Sequence, residues 1–123
     1  MRASLALMAL MTLVGCSTGT RVLALNGSDG LDIVVRVRAG NDTVYRFLES
    51  GQLAFVYLGS ASAGNVAVSV LEYPGCEELA RFEWMPNSYV TLRIDASNRS
   101  ELFSELERDT DGLTLAPPAD VCA

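Results

Sequence analysis

Leu31-Asp32-Ile33-Val34-Val35-Arg36-Val37-Arg38 decides the fold class of this chain. Leu31, Ile33, Val35 and Val37 fall on one side of an extended backbone, and Asp32, Arg36 and Arg38 on the other. Side chains alternate across a strand with a period of two, so this is a half-buried β-strand, with Val34 as its one exception. Turn chemistry bounds it on both sides. Gly27-Ser28-Asp29-Gly30 precedes it, and Ala39-Gly40-Asn41-Asp42 follows as a hairpin turn, where Gly and Asn tolerate positive φ.

The same grammar extends outward. Residues 21–26 form an apolar run before the first turn, and residues 43–49 are rich in β-branched and aromatic side chains. Ser50-Gly51 then turns the chain into an apolar run at residues 52–58. Gly59-Ser60-Ala61-Ser62-Ala63-Gly64-Asn65 is small and polar, suited to crossing between sheets. Val66, Val68 and Val70 start a fifth strand that Pro74-Gly75 ends. Residues 77–84 are ambiguous, since Glu77 to Arg81 can open as a helical turn while Phe82 and Trp84 favour a strand. Residues 89–95 alternate again, with Val90, Leu92 and Ile94 inward. Asn98 and Glu101 fit the side-chain pairing of a capping box, and Leu102, Phe103 and Leu106 follow at helical spacing. These predict a short helix at residues 99–108, with an irregular strand as its rival.

Six or seven short, mostly antiparallel strands with frequent turns predict an all-β fold, a small β-sandwich in preference to a closed barrel. Some of the aromatic residues are expected in its core. Residues 21–123 are then one β-rich domain with a C-terminal tail.

The start of the chain is different. Arg2 is followed by an apolar stretch from Ala3 to Val14, then Gly15 and Cys16. That layout suits an export signal whose apolar core is shorter than the ~20 residues a membrane-spanning helix needs. The segment resembles a bacterial lipoprotein signal peptide, Leu13-Val14-Gly15-Cys16 matching the lipobox that signal peptidase II reads. The resemblance covers residues 1–16 only and identifies no family for the remainder. It implies removal of residues 1–15, a diacylglyceryl thioether on Cys16, and in many bacteria a further fatty-acyl (palmitate-type) chain on the new amino group. Several chains hold a protein stably where one does not. The alternatives are a plain secretory signal with Cys16 incidental, or an uncleaved anchor. The implied address is the cell membrane or outer membrane, facing periplasm or exterior. Ser17 is not the aspartate of the enteric inner-membrane retention signal. Residues 16–20 form a lipidated tether reaching about 14 Å at most from Cys16.

Once Cys16 carries lipid, Cys76 and Cys122 remain as an even pair in an oxidising compartment, which predicts a disulfide. Closing a loop of about 47 residues contributes roughly 4 kcal/mol in the chain-entropy model and pins a tail containing Pro117 and Pro118. Free thiols and a redox pair are the alternatives, the latter lacking Cys-x-x-Cys spacing.

Composition excludes more than it identifies. The chain has 9 Lys plus Arg, 15 Asp plus Glu and a net charge of −6, and loss of Arg2 makes it more acidic still. Nucleic acid is not an expected partner, because the arginines are scattered and the surface repels phosphate. Histidine and lysine are both absent. That removes the usual base of Ser-His and Cys-His hydrolases, the commonest nitrogen ligand for zinc, Schiff-base chemistry and the P-loop lysine. No catalytic residue, cofactor or metal is therefore expected.

Weaker candidates have plain alternatives. Asp109-Thr110-Asp111-Gly112 echoes the opening of a calcium loop, but no glutamate closes it. An irregular site using Asp120 competes there with a solvated acidic turn, and Asp29 with Asp32 has less support. Glu72, Glu77, Glu78 and Glu83 could supply a glycosidase-like acid pair only if a groove brings two together. Trp84 and Tyr89 flank Pro86-Asn87-Ser88 and are the candidate recognition residues at a hairpin tip; otherwise Trp84 is core and Tyr89 caps a sheet end. Asn26-Gly27-Ser28, Asn41-Asp42-Thr43 and Asn98-Arg99-Ser100 match the glycosylation pattern and are read as turns. The leading expectation is a lipid-anchored, non-catalytic envelope module working through an envelope protein partner or structural support. The alternative is a lipoprotein that binds a small ligand or metal with its strand-end loops.

Overall fold

The computed structural model describes residues 19–58, 65–85, 88–104, 110, 112–119 and 121–122. They contain nine strands: β1 Thr20–Asn26, β2 Ile33–Ala39, β3 Asp42–Leu48, β4 Gln52–Leu58, β5 Val66–Glu72, β6 Glu77–Trp84, β7 Tyr89–Ile94, β8 Ser100–Phe103 and β9 Thr114–Leu115. One sheet has the order β8-β7-β1-β4-β9 and the other β3-β2-β5-β6. The expected all-β sandwich is what forms, with two short strands beyond the six or seven foreseen.

Pairing is antiparallel except for β1 with β7 and β4 with β9. The chain passes from β4 in the first sheet to β5 in the second; residues 59–64, read from composition as a crossing, lie outside the described residues. The Ala39-to-Asp42 hairpin turn also forms, with Gly40 at φ 61° and Ala39 opposite Asp42.

The core is aliphatic. Val22, Ala24, Val56, Val90, Leu92 and Ile94 of one sheet meet Ile33, Val35, Val37, Val66, Val68 and Val70 of the other. β-branched side chains suit a pleated surface that packs against another sheet. No aromatic residue is among the largest fully buried side chains; Phe82 and Trp84 are partly buried and pack against the core's edge. The expectation of aromatic core filling thus holds only at that margin.

Val34, the exception in β2, points outward yet is completely buried. It lies between Phe47 and Leu71 in register, and the Tyr73 ring sits 4.7 Å from that of Phe47. A second, smaller apolar cluster therefore explains the break in alternation. β6 is a strand throughout, with Ala80, Phe82 and Trp84 turned inward. A bulge shifts its register between Val70 and Leu71.

The helix expected at residues 99–108 is corrected over its described part. Ser100–Phe103 is a strand, with Leu102 opposite Leu92 and packed on the core; residues 105–108 lie outside the described residues. Asp95 Oδ1 accepts from the amides of Ser97 (2.9 Å) and Arg99 (3.0 Å), and Asn98 adopts φ 65°. The Asn98 amide, which a capping box would pair with Glu101, donates instead to the Asp95 carbonyl (2.9 Å), and the β7 edge offers ladder bonds that a short isolated helix cannot match.

At the Asn26 end of the sandwich one side chain joins the sheets. Asn26 is fully buried, and its Nδ2 donates to the Leu31 carbonyl (2.8 Å) and the Leu48 carbonyl (3.0 Å). Its Oδ1 accepts from the Ser28 amide (3.1 Å). The disulfide Cys76–Cys122, with Cα atoms 5.7 Å apart, ties the tail that follows β9 to the turn between β5 and β6. It therefore staples one sheet to the other.

Candidate functional site

β4 reads Gln52-Leu53-Ala54-Phe55-Val56-Tyr57-Leu58 and has no polar face. Ala54, Val56 and Leu58 face the core, so alternation puts Leu53, Phe55 and Tyr57 on the outside. Register carries the outward parity across the sheet: Phe55 lies opposite Leu23, Leu23 beside Thr91, and Thr91 opposite Phe103. Leu23 and Thr91 are themselves buried, so the exposed side chains flank a covered centre. Leu115 of β9 lies beside Leu53. Of the eight large hydrophobic side chains that are exposed among the described residues, Phe55, Tyr57, Tyr89, Phe103 and Leu115 belong to this outer face.

One row of the face has specific geometry. Arg21 of β1 lies opposite Tyr57 and beside Tyr89. Its guanidinium carbon is 5.4 Å from the Tyr57 centroid and 4.9 Å from that of Tyr89, and its Nη1 donates to the Tyr89 hydroxyl. A guanidinium between two aromatic faces is held by cation–π attraction, about 0.5–1 kcal/mol per contact at exposed sites. Tyr89 is thus a fixed, outward-facing residue at the Thr20 end of the sheet.

Trp84 occupies a different place. β6 and β7 belong to different sheets and are not the two arms of a hairpin; Pro86 and Asn87 lie outside the described residues. Trp84 packs partly on the core and, with Asn65, Glu83 and Met85, lines an open cavity of about 270 Å3. Both candidate residues nevertheless share one end of the sandwich. Trp84 pairs with Val66 where β5 begins, and Tyr89 begins β7.

The acidic candidates are dispersed. Glu72 and Glu77 are cross-strand partners at the β5–β6 turn, and both are exposed. Glu78 accepts from Arg36 at 3.2 Å and Glu83 from Arg81 at 3.3 Å. Exposed pairs of this kind contribute about 0–1 kcal/mol. Asp29 is exposed beside Gly30, and Asp32 is half-buried. Among the described residues no three His, Cys, Asp or Glu groups gather as metal ligands. Cys16, Asp109, Asp111 and Asp120 lie outside the described residues. Asn26 is a buried joint between sheets, so its amide is not presented for glycosylation.

Of this face the sequence reading named Tyr89 and did not single out Phe55, Tyr57, Phe103 or Leu115. The available signal was β4 itself, whose two aromatic residues share one parity while Ala54, Val56 and Leu58 share the other.

No protein-family model matches the chain, and no curated protein matches it in sequence. Among solved structures it is similar to "NMR structure of the protein from Eubacterium rectale", with 15% identity and a TM-score of 0.45 over 75% of this chain and 94% of that one.

Proposed function

We propose that residues 16–123 form a lipid-anchored, non-catalytic module of the cell envelope that works through contact with another envelope protein. The outer face of the five-stranded sheet is the contacting surface. The observation that carries this reading is the concentration of Phe55, Tyr57, Tyr89, Phe103 and Leu115 on that one face. Apolar side chains scattered singly need no explanation, whereas a shared exposed face is typical of an interaction surface. Rigid aromatic groups are also the commonest energetic anchors of interfaces.

Two further observations support the address. Cys76 and Cys122 are joined, and disulfides persist in exported proteins rather than in reducing cytosol. β1 begins at Thr20, one residue earlier than alternation suggested, leaving three residues between Cys16 and the fold. The absence of histidine and lysine supports a non-catalytic role.

The test is site-specific photo-crosslinking in native membranes. A photoreactive amino acid replaces Phe55 in one sample and exposed Asn41, on the other sheet's hairpin, in a second. A discrete product from position 55 and none from position 41 is the expected result. A product of two copies of this chain would reassign the face to self-association, and no product at either position would remove the interaction reading.

A further inference from the structure

We propose that the Thr20 end of the sandwich is a membrane-interface surface, seated in the phospholipid headgroups beside the lipid on Cys16. This rests on the anchor reading above and goes beyond it, since a lipid tether alone does not orient a domain.

The first observation is where the chain enters the fold. Gly19 immediately precedes β1, so the Thr20 end lies within about 14 Å of the Cys16 Cα even with the tether fully extended. Gly19 also fixes the direction of entry. It adopts φ +130°, and a Cβ there would lie 2.8 Å from the Tyr57 ring and 2.9 Å from the Leu58 carbonyl oxygen. The chain therefore arrives pressed against Tyr57.

The second observation is what that end presents. Tyr57 is 54% exposed, Tyr89 40% and Met85 66%, with Trp84 half-buried next to Met85. Tyrosine and tryptophan favour the membrane–water boundary because an apolar ring carries a polar tip. Arg21, held between Tyr57 and Tyr89, places a guanidinium in the same layer, and that group matches phosphate oxygens.

The third observation is charge. Asp29, Asp32, Glu49, Glu72, Glu77 and Asp95 lie at the opposite, Asn26 end, in the turns that follow β1, β3, β5 and β7 or at the starts of the next strands. Among the described residues, Asp42 and Glu83 at the Thr20 end are accompanied by Arg21 and Arg38, whereas the carboxylates of the Asn26 end are accompanied by Arg93 and Arg99. Of the two ends as described, the Thr20 end is the less acidic, and a phospholipid surface repels it less.

Trp84 is the chain's single tryptophan and reports directly on that end. The lipidated protein, extracted from membranes, is reconstituted into phosphatidylcholine vesicles containing a headgroup-nitroxide phosphatidylcholine, and its mass is measured alongside. Strong quenching of Trp84 is expected. In the variant Y57S/Y89S, and separately in M85S, the quenching should fall roughly twofold while lipidation and the melting curve are retained. Lipidated, vesicle-bound protein with unquenched Trp84 would overturn the docking surface and leave the anchor intact. Quenching unchanged in both folded variants would also overturn it, because the tether alone would then account for the proximity. A mass without lipid would overturn the anchor reading and the docking with it.

Discussion

Replacing Asn26 tests whether one buried amide holds the two sheets in register. In N26A the Ser28 amide loses the acceptor 3.1 Å away, and the Leu31 and Leu48 carbonyls lose donors at 2.8 and 3.0 Å. The damage is uneven. Leu31 O keeps the Ser28 hydroxyl at 3.0 Å, whereas the bond to Leu48 O is wholly buried. Three net hydrogen bonds at about 0.5–1.5 kcal/mol each give an expected loss of roughly 2–4 kcal/mol. For a domain of this size that lowers Tm by roughly 10–25 °C. N26D supplies the sharper comparison. It keeps an acceptor for the Ser28 amide but turns the donor that faces two carbonyl oxygens into a buried anionic acceptor. It should therefore be worse than N26A at neutral pH, and recover partly in acid, where a neutral carboxyl again donates. Urea unfolding of the oxidised protein at both pH values measures all of this. An N26D protein as stable as the unsubstituted one at neutral pH would refute the donor role.

Two further outcomes follow from the same structure. C76S/C122S opens a loop with a sequence separation of 46; the loss expected in urea unfolding is about 2–4 kcal/mol. Hydrogen exchange should quicken first at the Thr114 and Ala116 amides, which bond to Gly51 O and Leu53 O; unchanged exchange there would show that β9 is held without the staple. G19A places a Cβ 2.8 Å from the Tyr57 ring, and should cost about 1–3 kcal/mol while displacing that ring from Arg21. Unaltered tyrosine near-ultraviolet dichroism in G19A would contradict the close contact.

Which parts were legible in the sequence depended on how local their causes were. Alternation and turn residues marked β2, the Ala39-to-Asp42 hairpin and β7, because each depends on neighbours along the chain. Residues 59–65 were legible as a crossing by composition. The parallel pairing of β1 with β7 was not, since Arg21 and Tyr89 meet only after five intervening strands have been placed. Residues 100–103 misled because Leu102 and Phe103 serve a helical face and a strand equally well. The edge of β7 decided between them. The candidate face shows the same limit: Phe55 and Tyr57 stand in an apolar run without a polar side, and only the packing of the sheets shows that their side of β4 is turned away from the core.

The staple, the edge of β4 and the proposed interface are physically linked. β4 would be an edge strand without β9, and an uncovered edge presents free backbone groups to any passing strand. β9 has only two residues, so few ladder bonds and the buried Ala116 hold it there. The tail beyond it is also fixed by Cys122 to Cys76 on the other sheet. Opening the disulfide therefore does more than lower stability. It frees the edge at Gln52 and Leu53, next to exposed Phe55, and joins an apolar face to an unpaired strand edge. If the face is the contact surface proposed above, specific contact through it needs that edge closed, and the bond that pins the tail would also protect its selectivity.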